Sequence, residues 1–245
     1  MSIIRTIKNY LAKSFAVKEK DPATAYDQWA ASYDSQPDNL MLALDEELFS
    51  SLLDDTEISN KIIADIGCGT GRHWKKILDK APLKLIGYDV SQGMLEILQK
   101  KFPQAETHVL SSNKLRELKD HSCDMVISTL TIAHIDDVQE AMKEWCRVLQ
   151  PGGDMIITDY HPIALARGAK RTFNDKGKTV SIINHVHPIE KITAIAKQLQ
   201  LVEKRLTEKS IDETMKPYYD QQKASRLYEV WKGVPIIYGI HFKKL

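Results

Sequence analysis

The sequence predicts an α/β protein: a doubly wound sheet of seven strands with a helical cover before it and an insertion after its fifth strand. Three observations predict this. From residue 60 onward, short apolar runs alternate with stretches of helical periodicity. The strand candidates are unbroken apolar runs, the pattern of a parallel sheet covered on both faces. A glycine-rich turn, Gly67-Cys68-Gly69-Thr70-Gly71, joins the first of these runs to a helical stretch. The length of 245 residues, 43% hydrophobic and 27% charged, suits one domain with an elaboration and a sizeable core.

At the start of the chain, Ile3, Ile4, Ile7, Tyr10, Leu11 and Phe15 recur at helical spacing among Arg5, Lys8, Lys13, Lys18 and Lys20. A basic amphipathic helix over residues 1–20 either packs its stripe on the domain behind it or lies on an anionic membrane surface; packing is the preferred reading. Asp21-Pro22 starts a further helix. Strands are then expected at Lys61–Ile66, Lys84–Tyr88, Glu106–Leu110, Met125–Ser128 and Met155–Asp159, with helices at Arg72–Lys80, Gly93–Phe102 and Val138–Leu149 between them. Asn174-Asp175-Lys176-Gly177 is a turn joining two strands, a hairpin suited to cover a site as a lid. Pro188 opens a helix to Leu199, followed by a strand near Leu201–Leu206, a helix near Met215–Trp231 and a last strand at Ile236–Phe242.

Charge and cysteine content narrow the function. With 34 Lys and Arg against 33 Asp and Glu, the net charge is +1, which argues against nucleic acid as a partner. Cys68, Cys123 and Cys146 form neither a CxxC pair nor a disulfide framework, which points to a reducing, cytoplasmic setting. No apolar run reaches the roughly 18 residues of a membrane helix.

The turn at 67–71 carries the most chemistry. Its spacing is G-x-G-x-G; a dinucleotide fingerprint needs glycine where Arg72 stands, and no Gly-Lys-Ser/Thr of a P-loop follows. Asp89, 18 residues after Gly71, ends the next strand. In a doubly wound sheet that end faces the same crevice, where a carboxylate can accept both hydroxyls of a ribose.

With these residues the chain resembles the class I S-adenosylmethionine-dependent methyltransferases, in particular the small-molecule group typified by ubiquinone and menaquinone biosynthesis. The matching segments are Tyr26-Asp27-Gln28-Trp29-Ala30-Ala31-Ser32-Tyr33-Asp34, Asp65–Gly71, Asp89, Val90-Ser91-Gln92-Gly93-Met94-Leu95, Cys123–Ser128 and Leu149-Gln150-Pro151-Gly152-Gly153. The resemblance implies a Rossmann-like sheet, S-adenosyl-L-methionine as cofactor and S-adenosyl-L-homocysteine as product. The cofactor residues it implies are Tyr26, Tyr33, Asp65, Gly67, Cys68, Gly69 and Gly71, then Asp89, Val90, Met94 and Leu130. The family's acid after the third strand is replaced by Ser111 or Ser112, either of which then meets the adenine. It further implies a helical cover over 1–58, a cofactor-binding core over 59–160, and a substrate-side insertion with completion of the same sheet over 161–245. A base-amino methyltransferase carries Asp/Asn-Pro-Pro-Tyr/Phe where this chain has Ser128-Thr129-Leu130-Thr131, so a small-molecule acceptor is expected and nucleic acid is not. A regulatory, cofactor-binding protein of the same fold is the alternative.

Three histidines are candidate bases or acceptor-orienting groups: His134 past the fourth strand, His161 past the fifth, and His187 before the Pro188 helix. His185 reads as a structural hydrogen-bonder. His185-x-His187 with His161 lacks a supporting ligand, and no metal is expected. Tyr26, Trp29 and Tyr33 read as an aromatic wall beside the methyl donor or as helix packing. The stretch 161–184 carries Arg167, Lys170, Arg171, Lys176 and Lys178 against Asp175 alone. That stretch either draws in an acidic or phenolic acceptor or is a solvated face.

Overall fold

The computed structural model describes residues 19–35 and 39–245; the amphipathic helix expected at the chain start lies, up to residue 18, outside them. The short strand β1 (Glu19–Lys20) leads into α1 (Pro22–Tyr33), whose start is set by Pro22 in the first turn and by the Asp21 carboxylate, which accepts from the Thr24 N–H at 2.9 Å. Next comes α2 (Leu40–Asp54), capped by Asn39. The central series is β2 (Ile62–Ile66), α3 (Trp74–Leu78), β3 (Lys84–Asp89), α4 (Gln92–Lys101), β4 (Glu106–Val109) and β5 (Cys123–Thr129). A 3₁₀ turn at Ile132–His134, α5 (Val138–Val148) and β6 (Leu149–Tyr160) continue it. The remainder is α6 (Pro162–Ala166), β7 (Thr172–Asp175), β8 (Lys178–Ile182), α7 (Ile189–Gln198), β9 (Leu201–Ser210), α8 (Lys216–Gln221), α9 (Ser225–Trp231) and β10 (Pro235–Lys244).

The main sheet has the order β4-β3-β2-β5-β6-β10-β9. The chain runs outward from β2 to β4 and returns to β5 on the other side of β2, which makes the β2/β5 edge the topological switch point. The first five strands are parallel; β10 runs antiparallel between β6 and β9. Strand periodicity divides the core into two layers. Ala64, Ile66, Val126 and Ile157 face Val138, Met142 and Trp145 of α5 and Ile192 of α7. Ile63, Met125, Ile127 and Ile156 face Phe49 and Leu52 of α2, Trp74 and Ile77 of α3, and Leu95 and Leu98 of α4.

The expected hairpin forms as β7 and β8. Lys176 and Gly177 take positive φ of 49° and 80°, the geometry of a type I′ turn, and the Asn174 side chain accepts from the Gly177 N–H at 2.8 Å. The second sheet was not foreseen: β1 pairs parallel with β8, and Phe173, Val180 and Ile182 pack on Ala25, Trp29 and Ala30 of α1. Hairpin and α1 thus form one layer.

Two helices differ from expectation. The start expected at Arg72 is taken up by tight turns, in which Gly71 N–H reaches the Cys68 carbonyl and Trp74 N–H the Gly71 carbonyl, so α3 begins two residues later. The helix expected near Met215–Trp231 is broken at Lys223, which adopts a φ of 55°. The Asp220 carboxylate bridges the break, accepting from Lys216 and from the Ser225 hydroxyl. Cys68, Cys123 and Cys146 are buried free thiols. Among the described residues no helix is long and apolar enough to cross a membrane.

Candidate functional site

The glycine loop leaves β2 at the switch point, and its conformation is dictated by close approach. Gly67 has φ +74°, and a Cβ placed there would lie 2.0 Å from Thr131 Oγ1, in the segment that follows β5. Gly67 and Cys68 N–H both donate to the Tyr88 carbonyl, at 2.7 and 3.1 Å, which ties the loop to the end of β3. One residue later on β3, Asp89 Oδ2 accepts from Gly69 N–H at 2.8 Å and Oδ1 from Ser91 N–H at 2.9 Å. Each oxygen retains acceptor capacity, and Asp89 lines a cavity of about 690 Å³. Two adjacent acceptors on one carboxylate fit a pair of neighbouring hydroxyls, as a ribose presents. Burial pushes the Asp89 carboxyl up to about 6. Asp65 is likewise raised to about 6 by burial, and it accepts from Trp74 Nε1 at 2.9 Å.

The cavity volume falls within the usual range of small-molecule sites, roughly 300–1,000 Å³. Loop residues Gly67, Cys68 and Gly69 line it beside Asp65 and Asp89. Val90 and Met94, Ser111 and Ser112, and Leu130 line other parts of the wall, as do Tyr26 and Tyr33 from α1. Gly71 stands outside the lining and packs toward Leu98 and Trp74. Leu130 has φ +52°, a strained conformation for a branched residue, held by its N–H on the Thr158 carbonyl at 2.7 Å.

Of the three candidate histidines, His134 lines the cavity. Its Nδ1 lies 3.0 Å from the Ile183 carbonyl, which can only accept, so Nδ1 carries the proton. Nε2 is then the acceptor for the Tyr26 hydroxyl at 2.9 Å. Burial drives the imidazole down to about 4, so it is neutral near pH 7. The Asp159 carboxylate fixes the turn that carries it, accepting from Ala133 N–H at 2.7 Å. Burial raises Asp159 to about 7.

His161 and His187 stand outside the cavity lining. His161 caps α6, its Nδ1 accepting from Ile163 N–H at 3.2 Å while Nε2 donates to Glu208 at 2.6 Å. His187 donates from Nε2 to the Ile135 carbonyl at 2.7 Å. His185 lies 3.2 Å from Asp136. For His161→Ala we expect a stability loss of about 1 kcal/mol, the worth of a cap, with unchanged cofactor affinity. Denaturant unfolding and calorimetry check this; a tenfold loss of affinity would contradict it. Trp29 is buried and stacks on Phe173 with ring centroids 4.8 Å apart, so it packs the cover instead of walling the cavity.

Several site residues were not singled out from the sequence. Thr131 fills the space that Gly67 leaves open. Asp27 of α1 accepts from the Ser91 hydroxyl at 2.6 Å and Gly93 N–H at 2.9 Å, clamping the cover to the start of α4. Asp34 accepts from the Thr70 hydroxyl at 2.7 Å. Buried Asp45 of α2 accepts from Arg72, His73 and Thr158, and Arg72 and His73 line the cavity. Asp27 and Asp34 sit inside the matching Tyr26–Asp34 segment, where a signal existed. Asp45 had none, because its partners are 27, 28 and 113 residues away.

Comparison with known proteins agrees with this geometry. Residues 64–157 match the family described as a methyltransferase domain. The chain is 34% identical over 104 residues to the ubiquinone/menaquinone biosynthesis C-methyltransferase UbiE of Campylobacter jejuni, covering 40% of this chain and 44% of that one. It is 30% identical over 163 residues to the malonyl-[acyl-carrier protein] O-methyltransferase of Hahella chejuensis, covering 62% and 57%. The chain thus spans about half the length of these curated relatives. A solved S-adenosylmethionine-dependent methyltransferase from Mesorhizobium loti shares the fold at a TM-score of 0.61 and 18% identity, over 80% of this chain and 97% of that one. Residues 64–157 thus match a methyltransferase domain, and the chain around them shares the fold of solved S-adenosylmethionine-dependent methyltransferases.

Proposed function

We propose that this chain transfers a methyl group from S-adenosylmethionine to a small-molecule acceptor in the cavity between the glycine loop and α1. The observation that carries the reading is the glycine loop tied to the end of β3 at the switch point, Gly67 and Cys68 N–H on the Tyr88 carbonyl and Gly69 N–H on the Asp89 carboxylate, with Asp89 on the cavity wall. Asp89 holds the ribose hydroxyls, Met94 and Val90 flank the adenine, and Ser111 or Ser112 meets its edge. Gly67 and Thr131, packed against one another, keep the loop backbone close to the cofactor. The cofactor supplies a methyl group on a sulfonium, ready for in-line attack.

What the protein adds is position and exclusion of water. Tyr26 and Tyr33 bring α1 over the cavity, and aromatic faces suit a cationic sulfonium. His134 stays neutral at working pH, its Nδ1 proton held by the Ile183 carbonyl and its Nε2 turned to Tyr26. An imidazole of such low basicity orients an acceptor and is a weak base for a phenol or alcohol. This favours acceptors that attack without losing a proton or that arrive already ionised.

The test is transfer of labelled methyl from S-adenosylmethionine to a pool of small metabolites. Label in the small-molecule fraction that requires the protein supports the reading. No transfer, or label confined to nucleic acid or protein, would contradict it.

A further inference from the structure

One helix, α1, reaches three of the loops that line the cavity, each through a side-chain hydrogen bond. Tyr26 bonds His134 past β5 at 2.9 Å, Asp27 bonds the segment past β3, and Asp34 accepts from Thr70 of the glycine loop at 2.7 Å. The middle contact reaches deepest into the site. Asp27 is solvent-exposed, yet its Oδ1 takes the hydroxyl of fully buried Ser91 at 2.6 Å and the Gly93 N–H at 2.9 Å. The helix comes this close because residue 93 has no side chain: a Cβ there would lie 3.2 Å from Ala30 Cβ and 3.3 Å from Asp27 Oδ1.

Ser91 passes this contact on to Asp89. Its hydroxyl, which donates to Asp27, also accepts from Met94 N–H at 3.1 Å and so caps α4. Its N–H donates to Asp89 Oδ1 at 2.9 Å, while Gly69 N–H holds the other oxygen. A chain of contacts therefore runs from α1 through Ser91 to the carboxylate on the cavity wall. Met94, on the same wall, sits in the apolar cluster with Ala25, Trp29 and Ala30 of α1. Hydrogen bonds to an ionised acceptor are roughly twice as strong as neutral ones. Without the Asp27 carboxylate, the buried Ser91 hydroxyl loses its acceptor, and residue 91 is free to turn with the N–H that orients Asp89.

We infer that Asp27 is a positioning residue for the cofactor's ribose, acting on Asp89 through Ser91, so that docking of α1 and cofactor binding favour one another. This rests on the methyltransferase reading above. Linkage makes the effect reciprocal: whatever docked α1 adds to cofactor affinity, bound cofactor returns to the docking of α1. The titratable groups that face Asp89 are Tyr26 and Asp27 from α1, Asp65 from β2 and Cys68 of the loop. Burial is the main cause that raises Asp89 to about 6, and the Asp27 charge adds to it. Removing that charge while keeping an oxygen acceptor should lower the pH at which Asp89 ionises without dislodging it.

The experiment measures S-adenosylhomocysteine binding to the full chain by calorimetry, in Asp27→Ala, Asp27→Asn, Asp89→Ala and the variant carrying both alanines. Asp27→Ala should weaken binding about tenfold on its own, but less than about threefold where Asp89 is already absent, because nothing is then left to position. Asp27→Asn should keep most of the affinity at pH 8, while the midpoint of its pH profile moves below that of the unmodified protein. This variant also serves if the alanine variant does not fold. Three results would each assign Asp27 a structural role and overturn the proposal: affinity within about twofold in Asp27→Ala, losses that simply multiply in the double variant, or an unmoved midpoint in Asp27→Asn. In those cases binding to the unmodified protein leaves the methyltransferase reading standing. Failure of S-adenosylhomocysteine to bind the unmodified protein would overturn that reading.

Discussion

Gly67→Ala is expected to cost the protein its cofactor site. Two penalties add at this position. A side chain at φ +74° costs about 1–2 kcal/mol, and forcing a methyl group to within 2.0 Å of Thr131 Oγ1 adds overpacking of about 1–3 kcal/mol unless the Thr131 segment moves. Movement of that segment displaces Leu130, on the cavity wall, and the turn that carries His134. Affinity for S-adenosylhomocysteine should fall by about a hundredfold or more, since each 1.4 kcal/mol is tenfold. Gly69→Ala provides the contrast. Its φ is +54°, but an added Cβ meets nothing within 4 Å, so only the conformational cost of about 1–2 kcal/mol applies. Calorimetry and denaturant unfolding of both variants check the difference; equal losses would show that crowding against Thr131 is irrelevant.

Asp89→Ala should weaken cofactor binding by about 1–3 kcal/mol, the cost of leaving two hydroxyl groups and the Gly69 and Ser91 N–H donors without their acceptor. The same carboxyl gives the site a pH dependence. Raised to about 6 by burial, it is ionised, and the better acceptor, only above that pH. Cofactor affinity should therefore rise as pH increases through about 6 and then level off, and Asp89→Ala should flatten this profile. For stability the sign is opposite. The folded chain holds the Asp89 proton more tightly than the unfolded chain, so this group favours folding most at low pH and loses that contribution between about 4 and about 6. Asp65 acts in the same direction. His134, lowered to about 4, acts against them: it disfavours the folded state as pH falls from about 6.5 to about 4. A cofactor affinity that is flat across pH 5–8 in the unmodified protein would remove Asp89 from the binding role.

Local signals carried the central fold. Unbroken apolar strands, the glycine turn and an acid at the next strand's end all act within a few residues of where they are read. Asp89 and Gly69 are 20 residues apart in sequence, yet strand adjacency at the switch point brings them to 2.8 Å. Elements governed by distant partners were not legible. Nothing in Glu19-Lys20 announces that it pairs with Ser181–Ile182, and the break at Lys223 depends on an Asp220 carboxylate placed between Lys216 and Ser225. The histidines show the same limit. His134 and His161 both follow strands in sequence, but Glu208, 47 residues on, draws the His161 ring away from the crevice while Ile183 and Tyr26 hold His134 within it. Arg171 looked like one of five surface cations; only its packing on Trp29 and Tyr33 sets it apart.

The most direct test of the central claim is a calorimetric titration of the full chain with S-adenosylmethionine and S-adenosylhomocysteine, with NAD alongside. Saturable binding of the first two at one site per chain, weakened in Asp89→Ala, with no binding of NAD, is the result expected. Absence of binding by both S-adenosyl compounds, or binding indifferent to Asp89, would contradict the assignment of this cavity as the cofactor site.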